Sequence, residues 1–358
     1  MINIYRLLLL ASFVVYSAES FALNTDRKLI FDFNSYNFSE PKTIHSYTGK
    51  FNGDLYRGDH AVSLNTASVG IQFNNLSFNI LHRSDYIQSY TNDTATFYHQ
   101  YKNRITSNNN YEYSLEMTTS QFEATGLKIG YWVQASPQFS FNIAGTYYSG
   151  SDFNNGRLSG QGQWQNSQQF TIDAPAVIYS AHNDLLAFPK ADAKGNGYSI
   201  DVRTKWQINP QWQLDLSSND AVSKIKWRDA LLTNIYHWQL YRIDSEGKLD
   251  TDPMVIWKKT NYEQKLPRTQ IGYLSYTNNK NIEYYAKVMS TEYFSHRQFG
   301  LKKPLSDNQS IFISWHRDLS AIEVGLNKPN SYLSLTADVF SRKIGRTLNI
   351  EFGLSRPF

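Results

Sequence analysis

Apolar and polar residues alternate along most of the chain, which is the pattern of β-strands whose two faces meet different surroundings. The clearest stretch is 198–208. Tyr198, Ile200, Val202, Trp206 and Ile208 share one face, and Ser199, Asp201, Arg203, Lys205 and Gln207 share the other. Asn209-Pro210 turns the chain, after which Trp212, Leu214 and Leu216 alternate with Gln213 and Asp215. Val69, Ile71 and Phe73 run into Asn74-Asn75 and are followed by Leu76, Phe78 and Ile80, and an Asn pair tolerates the positive φ of a two-residue hairpin turn. The same rhythm brackets Ser136-Pro137, 277–280 and 328–331. No stretch of similar length has a 3.6-residue period, so an antiparallel, nearly all-β fold is expected.

Tight turns in an up-and-down barrel lie at one end, so successive ones are separated by an even number of strands. Candidate strands at 76–90, 93–101, 111–118 and 121–134 fit between the first two turns, and 138–149, 156–166, 170–180 and 197–208 fit between the next two. Polar stretches at 102–110, 154–168, 181–196 and 244–252 read as loops, the second in competition with the strand at 156–166. Residues 23–60 are less regular and read as a first strand at 28–34 plus a plug or periplasmic part.

The first 22 residues read as a secretory signal: Arg6 in the n-region, an apolar core from Leu7 to Val15, and Ser20-Phe21-Ala22 at the cleavage site. Composition then narrows the class. Aromatic residues make up 15% and charged residues only 18% of the 358, with mean hydropathy −0.50. So many aromatics exclude intrinsic disorder. No window beyond the leader approaches the roughly 18–20 apolar residues of a spanning helix. The chain has no cysteine, which removes disulfides and thiolate chemistry. Export also argues against a nucleic-acid partner, despite a net charge of +4.

At the carboxyl end Leu348, Ile350, Phe352 and Leu354 share a face with Phe358 in phase, and Glu351, Gly353 and Phe358 occupy polar, glycine and terminal aromatic positions. This ending resembles the last strand of Gram-negative outer-membrane β-barrel proteins, although Arg356 stands where a hydrophobic residue is expected. The resemblance implies insertion into the outer membrane by the barrel-assembly machinery, which reads Glu351, Gly353 and Phe358, and contact with outer-membrane lipid and lipopolysaccharide. A bilayer requires the sheet to close. At around 20 residues per strand and connection, the chain after the leader makes a single closed barrel of about 16 strands, with roughly 14 to 18 allowed. The expected organisation is a signal peptide at 1–22, an N-terminal segment at 23–60 and a transmembrane barrel at 61–358.

Catalytic chemistry finds no motif. His82, Asp85, His182, Asn183, Asp184 and His296 sit in no pattern of a known barrel enzyme, and there is no phosphate loop, HExxH or EF-hand. A non-enzymatic protein without metal or cofactor is expected. The face assigned to the lumen carries Lys128, Arg203, Lys205, Lys224, Lys226 and Arg228 through the middle of the chain, and Glu323, Asp338 and Glu351 toward its end. Laid around a cylinder, these form a basic wall opposite an acidic one and a transverse field. Tyr236, Trp238, Tyr284 and Trp315 read as lipid-facing girdle residues. The expected function is a passive porin-like channel for small polar or anionic solutes. The alternatives are a surface adhesion barrel with a closed lumen, a lipid-active enzyme, or a transporter of hydrophobic substrates.

Overall fold

The computed structural model describes residues 27–47, 51–105, 111–166, 169–181, 193–235, 241–242, 255–339 and 345–357. Residues 1–22, where a secretory signal is expected, and Phe358 therefore lie outside the described residues. Strands follow one another as β1 (Arg27–Ser39), β2 (His60–Phe73), β3 (Leu76–Tyr90), β4 (Glu112–Gln134), β5 (Phe139–Asn166), β6 (Gln169–Asp173), β7 (Ala176–Ser180), β8 (Lys194–Gln207) and β9 (Trp212–Ile235). The rest are β10 (Tyr241–Arg242), β11 (Val255–Gln264), β12 (Thr269–Thr277), β13 (Glu283–Ser290), β14 (Ser295–Ser306), β15 (Gln309–His316), β16 (Ala321–Lys328), β17 (Ser331–Ala337) and β18 (Thr347–Pro357). Two helices join them, α1 (Ile44–Tyr47) and α2 (Asn92–Asn103).

Fourteen strands close an antiparallel ring: β1 to β5, β8, β9, and β12 to β18, with β1 pairing both β2 and β18. The strands β6, β7, β10 and β11 extend this wall beyond one rim, between the tall strands β5 and β9. Closure leaves the ring no unpaired edge, as a sheet surrounded by lipid requires. The tight turns gather at one end as expected, Asn74 taking φ 50° between β2 and β3. The connection 40–59, with α1, is at the opposite end, and residues 27–39 are a wall strand.

Alternation sets the two faces. Leu127, Ile129 and Tyr131 on β4 and Ile143 and Tyr147 on β5 point out and stay exposed, Ile143 by 50%, while Lys128, Asn142 and Ala144 line the interior. Tyr198, Ile200 and Trp206 of β8 continue this apolar exterior, as do Tyr284 of β13, Trp315 of β15 and Leu333 of β17. Trp212 packs on Tyr276 near the tight turns, 5.0 Å between ring centres, as in an interfacial girdle. Tyr236 and Trp238 lie outside the described residues.

The ring has fewer strands than the expected 16 because several are far longer than a bilayer needs. The candidates at 111–118 and 121–134 are one 23-residue strand, β4, and 138–149 and 156–166 are one 28-residue strand, β5. The stretch 93–101 is helix. Thr91 caps it by accepting the Thr94 amide at 3.2 Å, and Phe97 packs with Tyr113, Trp164 and Phe170. Those partners share the outward parity of β4 and, beyond its bulge, of β5, so α2 braces the extended wall from outside.

Placing a guanidinium in the outer belt tests the lipid-facing assignment. Ile143→Arg should destabilise the folded barrel by about 2–4 kcal/mol in vesicles, measured by denaturant titration. The same substitution on a water-facing wall would leave the midpoint nearly unchanged.

Candidate functional site

The interior is a polar cavity beneath an apolar seal. Above β5's bulge at Ser151 the strand reverses parity and turns Phe153 inward. Phe153 stacks on Trp227 of β9 at 4.2 Å, and Phe122 and Tyr148 pack alongside at right angles to one another. Leu81, Ile225, Ala230 and Leu266 complete this cluster. Gln264 holds it together: its amide oxygen accepts the Trp227 indole N–H at 2.9 Å, and its amide nitrogen donates to Gln121 O and Asn155 Oδ1 across the interior. A second inward cluster, with Phe38, Val62, Ile87, Phe294 and Leu319, fills the opposite side near the same rim.

Under the seal lies a charged strut. Arg83 of β3 donates from Nε to Asp85 Oδ2 at 2.7 Å and from Nη1 to Asp220 Oδ1 at 3.0 Å, with Nη1 also 3.3 Å from the Tyr148 hydroxyl. Asp220 sits at a bulge in β9 with φ 53°, its own amide donating to Asp201 Oδ1 at 2.8 Å. Asp201 in turn pairs with Lys128 at 2.6 Å. Both carboxylates beside Arg83 are buried, and among the described residues its guanidinium is the one cation paired with them.

The strut and Tyr148 roof a cavity of about 420 Å³, which joins a wider one of about 680 Å³ toward the tight turns; both have Lys128, Asp201, Lys287, Gln298, Glu323 and Glu351 in their walls. On the β14–β16 wall Glu323 accepts from Ser314 Oγ at 2.9 Å and from Gln298, with His316 Nε2 at 3.4 Å, and Tyr36 bonds His296 close by. Ser314 gives its proton to the carboxylate rather than to an imidazole, so this cluster is not a nucleophile paired with its base.

Of the residues expected to form the basic wall, Lys128 and Arg203 line the cavity, and each is neutralised there: Lys128 by Asp201, and Arg203 by Asp215 at 3.3 Å. Lys205 lies over the Trp132 ring, 5.3 Å from its centre. Lys224, Lys226 and Arg228 are corrected: they point outward, in phase with Leu216 and Val222, while Ile225 and Trp227 are buried inside. The reason is position along the strand. Along the apolar belt the outside is apolar and the inside polar, but past the belt β9 has exposed cations outside and a packed core inside, so polarity inverts while alternation continues. On the acidic side, Glu323 and Glu351 line the cavity. Asp338 does not: it caps the β17–β18 connection by accepting the Arg346 and Thr347 amides at 3.1 Å. Gly353 lies under the Tyr332 ring. The aromatic cluster packed inside the barrel above the cavity does not support the expectation of an open channel for polar or anionic solutes. The residues that matter most, Arg83, Asp220, Phe153 and Trp227, carried no motif.

His182, Asn183 and Asp184 lie outside the described residues, and His82 is 3.8 Å from Glu123. Among the described residues one group gathers three metal-ligating atoms, Glu40, Asp59 and His60, within 4.8 Å of one another. It serves as a clasp at the loop end: Glu40 Oε2 accepts the Asp59 and His60 amides at 2.9 and 3.3 Å, and the imidazole contacts both carboxylates. Burial would raise the Glu40 carboxyl, but the hydrogen bonds from His60 and the Asp59 amide outweigh it and hold it at about 2. Burial would lower His60, yet its bond to Glu40 and the Asp59 charge raise it above 6.5.

No family model and no curated protein matches the sequence. Among solved structures the chain is similar to a TodX deltaS2S3 mutant monoaromatic hydrocarbon channel, at 9% identity over 93% of this chain and 90% of that one, TM-score 0.46. It is also similar to the Pseudomonas putida toluene transporter TodX, at 9% over 93% and 88%, TM-score 0.40. A Pseudomonas aeruginosa FadL homologue matches at 10% over 92% and 87%, TM-score 0.39. With identities this low and TM-scores under 0.5, these likenesses carry neither substrate nor mechanism.

Two outcomes follow from the strut and the clasp. Arg83→Met strands two buried carboxylates and should cost about 3–5 kcal/mol in urea unfolding, with R83M/D85N/D220N recovering most of it. The clasp contributes fully only between about pH 4.5, the ordinary Glu value, and about 6.5, the ordinary His value. Its Glu40 share is lost as pH falls toward 2 and its His60 share as pH rises past the elevated imidazole value. Urea midpoints across pH 3–9 should therefore lose their alkaline slope in His60→Ala and their acid slope in Glu40→Gln.

Proposed function

We propose that this protein is an outer-membrane transport barrel that admits small, mainly apolar molecules one at a time and is not an open pore for polar or anionic solutes. The observation that carries this reading is the aromatic seal of Phe122, Tyr148, Phe153 and Trp227 directly above a cavity of about 420 Å³. A flat apolar solute can displace these rings from one another and recover their stacking, whereas a hydrated ion would have to shed its water to enter. The cavity has the size of a small-ligand site, and its polar lining can orient a solute bearing a hydrogen-bonding group once the solute has passed the rings. Its charges are largely paired with one another, which suits retention of a neutral molecule better than attraction of an anion. The apolar exterior, ring closure and terminal strand support the membrane placement.

Planar bilayers containing the purified barrel should show no steady open-channel current. A stable ohmic conductance in the native protein would sink this reading. F153A/W227A removes the stacked pair and should introduce ion leakage. In vesicles, influx of a small aromatic hydrocarbon should exceed that of a sugar of equal size, and equal rates would count against the proposal.

A further inference from the structure

Beyond the lumen, one region of the outer wall carries strong uncompensated charge. Lys194 of β8, Lys224, Lys226 and Arg228 of β9, and Lys265 and Arg268 between β11 and β12 form a cationic surface on neighbouring strands. Register places them together: Lys194 is opposite Arg228, and Lys226 is opposite Glu263. Glu263 binds Lys224 at 2.7 Å and lies within the field of Lys226 and Lys265 as well. That is the single ion pair the six cations make among the described residues. Asp229, at a bulge with φ 56°, follows Arg228 in the chain.

Their height on the wall gives the surface its meaning. On β8 the outward row reads Trp206, Ile200 and Tyr198, all exposed and apolar or aromatic, and then Lys194. On β9 it reads Leu216 and Val222, and then Lys224, Lys226 and Arg228. The cations thus begin where the apolar belt stops, at the end away from the tight turns. Two outward charges elsewhere above the belt are matched: Arg297 binds Asp318 at 2.6 Å, and His82 lies 3.8 Å from Glu123.

We infer that this surface binds the phosphate groups of anionic lipid headgroups in the outer leaflet, as a phosphorylated glycolipid such as lipopolysaccharide would present them. The occupant is fixed by continuity: acyl chains that cover Tyr198 and Val222 bring their headgroups level with Lys224 and Lys226. Several cations spaced over two strands and the β11–β12 connection match an extended, multiply phosphorylated headgroup, and each adds attraction near an anionic surface.

The inference rests on the membrane placement proposed above, and the test separates the two. Native barrel and a K194Q/K226Q/R228Q/R268Q variant are reconstituted in phosphatidylcholine vesicles with and without lipopolysaccharide, and retained phosphorylated lipid is counted by native mass spectrometry after extraction. The native barrel should retain roughly ten times more than the variant or better, and the difference should shrink at high salt. Inorganic phosphate alone should not compete at equal concentration. Equal retention by both proteins, or full competition by inorganic phosphate, overturns the headgroup site while leaving the membrane placement intact. Failure of both proteins to insert into neutral vesicles overturns the placement and this inference with it.

Discussion

The structure depends on ring closure. In lipid a free sheet edge would strand a row of amides and carbonyls with no water to meet them. The pairing of β1 with β18 along Lys28–Phe38 removes that edge and fixes which face every strand turns inward. Once the ring is closed, the interior is a confined space, and what fills it decides what can pass.

Two kinds of filling are stacked along the axis, and each stabilises the other's placement. The aromatic seal excludes water from one side of the Arg83 strut, which strengthens its ion pairs and makes an unpaired carboxylate there costly. The strut in return joins β3 to the bulge of β9 beneath Trp227, limiting how far the walls supporting the seal can separate. Residues 27–39, the first strand, are fully used in the wall.

The exterior, the tight turns and the antiparallel class were legible in the sequence because period-2 alternation is a local property. Tyr198, Ile200 and Trp206 declare their face without knowledge of any partner. Strand length was less legible. The polar composition of 154–166 resembles a loop, yet these residues continue β5 because β4, β6 and β7 offer them a ladder beyond the apolar belt. Arg83 and Asp85 stand two apart on one face of β3, but the strut was invisible because Asp220 is brought to them by ring closure and by a two-residue excess in β9 that no local pattern marks. α2 was misread because its residues alternate weakly; its cap at Thr91 was the available signal.

Lys224, Lys226 and Arg228 show the limit most directly. Reading polarity alone assigns them to the lumen, because inside a bilayer the polar face is the inner one. Carrying the count of two forward from Trp212, Leu214 and Leu216 instead places them outside, where the structure has them. One passage of β9 out of the apolar belt thereby builds two features at once. The inward residues Ile225 and Trp227 become the seal, and the outward ones become a cationic collar beside it. Any change that shifts β9 along its neighbours must move both.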